Sequence, residues 1–252
     1  MRMRDLPRGT VALIDGRMGT HISPRSPASN PVHWGAIPCR GAALAIAIAA
    51  WVLTSVSGAR AADEEPWKLV KRGAEVTIYE RVQSDSSLKE YRAIGAFAAS
   101  PEVIKGVLDD IELYPQFMPF VKVARILSDN ANSRVTYQRV SPPLIGDRDY
   151  VIETTCETNR LKSGGFCYVN SWQCVPEKGP AEKKGVVRVK VTHGSWRLEP
   201  GKDGGTLGTY TVFSDPQVKM PPLLVNSAAK SAIPRIFTAI AKQSKNSKYQ
   251  VP

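Results

Sequence analysis

The chain has 252 residues, of which 42% are hydrophobic, and a formal net charge of +11 at pH 7. This hydrophobic share is typical of a globular protein and too low for a protein that crosses a membrane many times. No run of five like charges occurs. We therefore expect no nucleic acid as a partner, because a nucleic-acid-binding face clusters its Lys and Arg side chains. A mildly basic surface suits contact with anionic lipid.

The N-terminal part of the chain is typical of a targeting segment. Residues 1–40 mix Pro, Ser, Gly and Arg without periodicity, and we interpret them as a disordered extension or a wrongly assigned start. The uncharged run Gly41–Gly58 follows Arg40 and precedes the small-x-small site Ala59–Ala61. A basic residue, an apolar run and such a site, in this order, predict a secretory signal peptide across residues 41–61.

Cleavage of this signal would export the remaining residues 62–252, so we expect a periplasmic or secreted protein. An uncleaved membrane anchor is the alternative, because the apolar run 41–58 is just long enough to span a bilayer. No internal repeat and no low-complexity linker follow Ala62, which predicts one domain.

The first part of this domain predicts two strands and a short helical pair. Glu75–Val82 and Leu88–Phe97 are strand-like and are separated by a polar turn. Ser100-Pro101-Glu102 then predicts the start of a helix, with Ser as N-cap, Pro at the first position and Glu in the first turn. A second short helical or loop segment follows at Ile111–Phe117.

Strands dominate the rest of the domain. Six strand-like runs alternate with clusters of Gly, Asp, Asn and Pro, as in an antiparallel meander. They are Val121–Leu127, Arg134–Val140, Asp149–Glu157, Gly165–Cys174, Val186–His193 (with Trp196 and Leu198 beyond it) and Thr206–Phe213. The chain closes with helical spacing over Pro221–Ser244, which Pro234 is expected to kink or divide. This order predicts an α+β fold in which a curved antiparallel sheet wraps around one long C-terminal helix.

The cysteines and the single late histidine predict no metal site and no cofactor. Residues 62–252 contain no Cys-x-x-Cys, and His193 is their only histidine. Cys156 and Cys167 flank the predicted turn Asn159–Gly165, so they either form a disulfide across a hairpin or are small buried thiols.

No catalytic constellation is visible in the sequence. There is no G-x-S-x-G, no P-loop and no G-x-G-x-x-G. His193 is interpreted as a half-exposed strand residue rather than a base. Asp147 and Asp149 flank Arg148, which favours a salt-bridge cluster over a pair of catalytic carboxylates. We therefore expect no enzyme activity.

Several segments resemble a known family. Glu90–Ala93, Ser141–Val151, Val187–Arg188 with Ser195–Pro200, and Ser214–Asn226 together resemble the START domain, a lipid-transfer module of the helix-grip superfamily. The similarity runs from about Trp67 to Gln243 and lies within residues 62–252. It implies a helix-grip fold with an internal apolar cavity between the sheet and the C-terminal helix.

The resemblance also implies a function. Members of this family bind one lipid, such as a sterol, phospholipid or ceramide, and shield it during transfer, with the C-terminal helix and a nearby loop as the gate. We therefore expect non-catalytic binding of one lipid or other hydrophobic small molecule by a monomer that contacts a membrane surface transiently.

The arginine of the R-D motif is the first candidate for the site. The resemblance implies that Arg148 lies near the inner end of the cavity. In sterol-carrying members its partner is an acid at a position that falls in Val121–Leu127, and this run contains none. Arg148 is therefore expected to pair with Glu90, Asp147 or Asp149, to reach water, or to hold an anionic headgroup. A surface or structural ion pair is the alternative.

The remaining candidates lie on strands and on the last helix. Glu90 and Arg92 share one face of a strand, but either face of that strand is plausible as the core side. The complete set of predicted ligand-binding residues is Arg148, Asp149, Glu90, Arg92, Tyr137, Asn226, Leu224 and Phe237.

Two other functions remain open at this point. A cyclase-like or hydrolase-like enzyme of the same superfamily would depend on Glu90, Asp149, His193 and a few tyrosines for proton transfer. A protein-binding module would have a small or collapsed cavity.

Overall fold

The computed structural model describes residues 66–83, 86–131 and 133–250. The predicted extension, signal peptide and alternative anchor, all within residues 1–61, lie outside this range. Among the described residues, no helix combines the length and the hydrophobicity needed to cross a membrane.

One large sheet forms the body of the domain. Nine strands follow one another in the order β1-β2-β3-β10-β9-β7-β6-β5-β4, and every pairing along this path is antiparallel. The strands are β1 Lys68–Arg72, β2 Val76–Gln83, β3 Ser86–Phe97, β4 Val121–Asp129, β5 Ser133–Val140, β6 Arg148–Arg160, β7 Phe166–Cys174, β8 Val187–Arg188, β9 Val191–Pro200 and β10 Thr206–Asp215. The short β8 pairs in parallel with the first two residues of β6.

Within the described ranges, three α-helices accompany the sheet. α1 spans Pro101–Asp109, and the Ser100 hydroxyl accepts a hydrogen bond from the Val103 amide at 3.5 Å, as the N-cap prediction requires. A 3₁₀ turn at Ile111–Leu113 leads directly into α2, Tyr114–Phe117. α3 spans Pro222–Gln243 as one helix, so Pro234 does not divide it.

Most strand predictions agree with the structure. One predicted strand is split in two, and one observed strand was not predicted. The predicted run Val186–His193 is split, because its first half pairs with β6 whereas its second half joins β9 between β7 and β10. The edge strand β1 was not predicted. Its sequence, Lys-Leu-Val-Lys-Arg, shows no clear alternation, and pairing with β2 and packing of Val70 on the core hold it in place.

The second half of α3 packs directly on the sheet. Phe237 stacks on Phe97 of β3, with ring centroids 5.4 Å apart and an interplanar angle of 2°, and contacts Trp196 at 5.1 Å. A Cβ atom at Gly95 would lie 2.8 Å from the Phe237 ring, so glycine at this position allows the close approach. Tyr91 and Phe97 are buried against the helix, which identifies the odd-numbered face of β3 as the core side.

The opposite face of the sheet carries a buried ion pair. Arg188 of β8 donates to both carboxylate oxygens of Asp149 of β6, at 2.6 and 3.2 Å, and the Tyr137 hydroxyl donates to the same carboxylate at 3.0 Å. The two charged side chains are only 3% and 1% exposed. Arg188 also donates to the Pro180 carbonyl at 3.0 Å. The pair therefore fixes β8 and the segment before it against the start of β6.

The predicted disulfide is not formed. Cys156 lies opposite Asn170 in the β6–β7 register, whereas Cys167 lies opposite Asn159. The two cysteines are therefore three residues out of register and project from opposite faces of the sheet. All three cysteines of the described residues are free thiols. Cys167 is buried, as the alternative interpretation expects, whereas Cys156 is exposed.

Removal of the Phe237 ring is expected to destabilise the domain strongly. Phe237→Ala leaves a cavity between α3 and the sheet and should lower the free energy of unfolding by about 3–5 kcal/mol. Urea unfolding checks this value. Thr238→Ala, at the exposed neighbouring position, is the control and should change stability by less than about 0.5 kcal/mol. Equal effects of the two substitutions would contradict the packing described above.

The two ion pairs of the sheet should differ in their contribution to stability. Asp149→Ala leaves the buried Arg188 charge without its carboxylate and should cost about 3–5 kcal/mol. Glu199→Ala breaks the half-exposed pair with Arg197 and should cost at most about 1 kcal/mol. Chemical denaturation of both variants measures the difference, and a small loss for Asp149→Ala would show that the buried pair is not a structural contact.

Candidate functional site

A cavity of about 520 Å³ lies between the concave face of the sheet and the helices. β5, β6, β7, β9 and β10 form its floor, and residues of α1, α2 and α3 contribute to its walls. Because side chains alternate along a strand, the even-numbered residues of β5 and β6 face inward. Those that line the cavity are Arg134, Thr136, Gln138, Val140, Tyr150, Ile152, Thr154 and Cys156.

Aromatic side chains form one wall of the cavity. Tyr210 contacts Trp196 and Trp172, with ring centroids 4.7 and 5.8 Å away. A Cβ atom at Gly194 would lie 2.4 Å from the Trp172 ring and 2.2 Å from the Thr211 carbonyl oxygen. Glycine at position 194 therefore allows the indole to lie flat on β9, where it limits the depth of the cavity.

The tyrosines of the cavity are neutral hydrogen-bonding groups. Burial raises the pKa of Tyr150 to about 12 and also raises the pKa values of Tyr114 and Tyr210. Tyr150 donates to Gln138 Oε1 at 3.2 Å, and Tyr114 donates to the Leu108 carbonyl at 2.6 Å. All three hydroxyls therefore keep their protons at physiological pH.

Two cationic side chains line the cavity: Lys105 of α1, which pairs with Asp109, and Arg134, at the end next to the β4–β5 turn. Its guanidinium donates to the Asp109 carbonyl at 2.9 Å and pairs with Asp129 at 2.9 Å. The hydrogen bond to Asp129 raises the pKa of Arg134, so the group is fully charged. Its Nε atom is buried and has no hydrogen-bond acceptor among the described residues.

Two further polar atoms of the cavity wall lack partners. Thr136 Oγ1 and Asn170 Oδ1 are buried and form no hydrogen bond within the described part of the chain. Buried polar atoms are normally satisfied by protein, water or a ligand. The cavity therefore combines a largely apolar surface with a few polar atoms that are available to a ligand.

A smaller cavity of about 160 Å³ lies beside the main one. It lies between the first half of α3 and strands β3 and β10. Tyr210, Val212, Ser214 and Ile236 line both cavities, so the two share a common wall.

The predicted residues on β3 face away from the main cavity. Glu90 is buried on the outer face, where it pairs with Arg81 and accepts a hydrogen bond from Gln83 at 2.8 Å. The Arg92 guanidinium lies 4.1 Å from the centre of the Trp67 ring. Neither residue lines either of the two cavities.

The two charged side chains of the R-D motif, Arg148 and Asp149, point to opposite faces of the sheet. Asp149 and its hydrogen-bond donor Tyr137 lie on the outer face, in the ion pair described above. Arg148 points to the inner side but is buried under the neighbouring loops, where its Nε donates to the Pro216 carbonyl at 3.2 Å. Burial lowers the pKa of Arg148, whereas the negative charge of Asp147 acts to raise it. Arg148 is not among the residues that line either cavity.

The three predicted residues of α3 have different positions. Asn226 lines the smaller cavity. Leu224 is 51% exposed and Phe237 is in the packed core, so neither lines a cavity. The structure therefore brings together a different polar set, namely Arg134, Thr136 and Asn170. The i, i+2 spacing of Arg134, Thr136 and Gln138 shows in the sequence that they share one face of a strand. It does not show that this face lines the cavity.

Among the described residues, no group of three or more His, Cys, Asp and Glu side chains is placed to hold a metal ion.

Comparison with known proteins identifies the family. The family model "START domain" matches residues 50–248. The chain is 29% identical to the phosphatidylcholine transfer protein of Mus musculus over 186 residues, which cover 71% of this chain and 84% of the relative. The STAR-related lipid transfer protein of Xanthomonas axonopodis matches with a TM-score of 0.64 and 26% identity, over 71% of this chain and 99% of that one.

A human structure agrees with the same fold. Human StAR-related lipid transfer protein 5 matches with a TM-score of 0.63 and 20% identity, over 71% of this chain and 86% of that chain. The family match covers most of the chain, and the α+β architecture of an open antiparallel sheet with a C-terminal helix, predicted from the sequence, is confirmed. The chain is therefore a member of the START domain family.

Proposed function

We propose that this protein binds a single lipid in the 520 Å³ cavity, with the polar group of the lipid at Arg134 and its chain directed towards α3. The observation that carries this proposal is the buried Nε of Arg134, a charged donor without an acceptor among the described residues, at one end of a largely apolar cavity. A phosphate or carboxylate oxygen is the acceptor that best matches a guanidinium.

The size of the cavity supports a ligand of this kind. Its volume of about 520 Å³ lies within the range of about 300–1,000 Å³ that is usual for small-molecule sites. At about 30 Å³ for each heavy atom, it holds about 17 heavy atoms. One acyl chain or a compact ring system fits this volume, whereas a two-chain phospholipid needs α3 or the neighbouring loops to move outward. A protein-binding module would have a collapsed cavity, so the volume of about 520 Å³ argues against that function.

The wall next to Arg134 suits a phosphocholine headgroup. Arg134 lies opposite Thr154 in the β5–β6 register, and Thr154 lies opposite Trp172 in the β6–β7 register. The backbones of Arg134 and Trp172 are therefore about 10 Å apart. The guanidinium would contact the phosphate, and the faces of Trp172 and Tyr210 would contact the quaternary ammonium. The relationship to a phosphatidylcholine transfer protein supports this ligand class.

A comparison of two arginine variants tests the position of the headgroup. Arg134→Met removes the charged donor from the cavity and should weaken binding of a phosphocholine lipid by about 10–100-fold, equivalent to about 1.5–3 kcal/mol. Arg148→Met removes the arginine that the R-D motif predicts as a headgroup ligand. Its affinity for the lipid should stay within about threefold of that of the unmodified protein. Titration with a fluorescent phosphatidylcholine measures both affinities.

Arg125→Met is the matched control, because Arg125 is an exposed arginine of the adjacent strand β4. Thermal unfolding of each variant shows whether the fold is intact. If Arg148→Met loses affinity for the lipid and Arg134→Met binds it normally, the proposed headgroup position is wrong. The headgroup would then lie at the R-D motif, next to Arg148.

We further propose that the protein exchanges its lipid at a membrane surface through the end of the sheet that carries the start of α3. Leu144, Leu223 and Leu224 are 91%, 76% and 51% exposed. The hydrogen bond from Arg148 to Pro216 ties the loop that contains Leu144 to the segment that leads into α3. Exposed leucines on adjacent segments are suited to shallow insertion into a bilayer.

For the location of that membrane, we propose two possibilities that rest on the N-terminal sequence. A signal peptide cleaved within residues 41–61 would place the domain outside the cytoplasm, whereas an uncleaved segment 41–58 would hold it at the membrane. The basic net charge supports attraction to anionic lipid in either location.

Replacement of an exposed leucine tests the membrane contact. Leu144→Asp removes one apolar side chain from the proposed contact surface and adds a negative charge, so lipid transfer between vesicles that contain anionic phospholipid should slow by about tenfold. Leu207→Asp, at a 41% exposed leucine of β10, is the control and should transfer at the normal rate. Equal rates for Leu144→Asp and the unmodified protein would contradict this docking surface.

A further inference from the structure

The side chain of Asn170 carries a buried acceptor that no described residue satisfies. Asn170 of β7 is only 8% exposed, and its Oδ1 atom accepts no hydrogen bond from the described part of the chain. An acceptor left unpaired in the folded protein costs free energy, because it has lost its hydrogen bonds to water. Asn170 lines the cavity of about 520 Å³, so a ligand in that cavity can supply the missing donor.

Aromatic side chains lie beside this acceptor on two strands. Trp172 lies two residues further along β7 on the same face, and Trp196 lies opposite Asn170 in the β7–β9 register. The Tyr210 ring contacts both indoles, with ring centroids 4.7 Å from Trp196 and 5.8 Å from Trp172. The faces of such rings attract a cation. The acceptor of Asn170 therefore lies at an aromatic corner, formed by Trp172, Trp196 and Tyr210, that favours a positively charged group.

The cavity offers no free carboxylate to such a cation. Among the described residues that line it, the carboxylates are those of Asp109 and Asp129, which pair with Lys105 and Arg134. A cation at the aromatic corner is therefore stabilised by ring faces and by the neutral oxygen of Asn170. This arrangement suits the positive end of a zwitterionic headgroup, because the phosphate of the same headgroup supplies the counter-charge.

The separation between Asn170 and Arg134 fits a phosphoethanolamine headgroup. Arg134 lies two strands away from Trp172, through Thr154, and Asn170 lies two residues from Trp172 along β7. These offsets place the backbones of Arg134 and Asn170 about 12 Å apart. Side chains stand roughly perpendicular to a sheet, so the polar ends of the two side chains have a similar separation. The headgroup spans about 6 Å from a phosphate oxygen to the nitrogen, and a hydrogen bond at each end brings the total to about 12 Å.

We propose that Asn170 and the aromatic corner select an ammonium group that retains an N–H, so that the preferred ligand is a phosphoethanolamine lipid. The inference rests on the proposed binding of a lipid with its phosphate at Arg134. The ammonium contacts the aromatic faces and donates a hydrogen bond to Asn170 Oδ1. A phosphocholine lipid makes the same aromatic contact, but its quaternary nitrogen has no hydrogen to donate and leaves the acceptor of Asn170 unpaired.

A series of N-methylated headgroups tests this selectivity. The full chain, freed of lipid, is titrated with lysophospholipids of one acyl chain that carry ethanolamine, its N-methyl form, its N,N-dimethyl form or choline. Only the choline lipid lacks an N–H. The other three should bind within about threefold of one another, and the choline lipid should bind at least about tenfold more weakly. A steric effect of the methyl groups would instead weaken binding by similar steps along the whole series, and that result would overturn the inference.

Two substitutions at position 170 identify the group responsible. Asn170→Leu has a similar size but no polar atom, so it should remove the difference between the dimethyl lipid and the choline lipid. Asn170→Asp keeps an oxygen acceptor and should keep that difference, and it serves as the test if thermal unfolding shows that Asn170→Leu does not fold. Asn159→Leu, at an exposed asparagine of β6, is the matched control and should bind the series like the unmodified protein. Persistence of the difference in folded Asn170→Leu, or its loss in folded Asn170→Asp, overturns the role of Oδ1.

The remaining outcomes separate the inference from the function on which it rests. Equal affinities for all four lipids overturn the selectivity for an N–H, while the lipid site at Arg134 remains. Lysophosphatidylglycerol, whose headgroup ends in hydroxyls and carries no cation, should bind more weakly than the ethanolamine lipid, and equal affinity overturns the role of the ammonium. Failure of the unmodified protein to bind any lipid of the series overturns the proposed headgroup site and the selectivity together.

Discussion

The alternation of side chains across a single curved sheet decides where each polar group of this protein lies. Consecutive residues of a strand point to opposite faces, so one face lines the cavity and the other contacts solvent or the outer segments. Arg148 and Asp149 are adjacent in sequence, yet the first is buried towards the inner side and the second forms an ion pair on the outer face. Arg134, at an even position of β5, also points inward, and unlike Arg148 it lines the cavity.

The smaller cavity lies beneath α3 because this helix is not packed uniformly on the sheet. Phe237 anchors the second half of the helix on the aromatic floor, at Phe97 and Trp196. The first half carries alanines over the sheet and is held by the hydrogen bonds of Asn226. A helix anchored at one end and tethered at the other can cover a ligand without filling its space. The proposed lipid binding depends on unfilled volume of this kind between the helices and the sheet.

Much of the fold could be predicted, because its elements carry local signals. Ser100 and Pro101 mark the start of α1, and alternating apolar residues mark most strands. The candidate site was harder to predict from the sequence. Whether the odd or the even face of β3 is inside depends on α3, which is more than a hundred residues away in sequence. The edge strand β1 has no strong local pattern and depends on its neighbour.

The sequence by itself determined the order of the helices and of most strands, the α+β class and the family, because these depend on local periodicity and on motifs that can be read along the chain. Only the tertiary structure decided which arginine faces the cavity, that Cys156 and Cys167 lie on opposite faces, and that a second space remains beneath α3. The physical reason is that register and packing are set by contacts between distant segments. A shift of one residue in register exchanges the two faces of a strand, so the role of a side chain is settled only when its partners are in place.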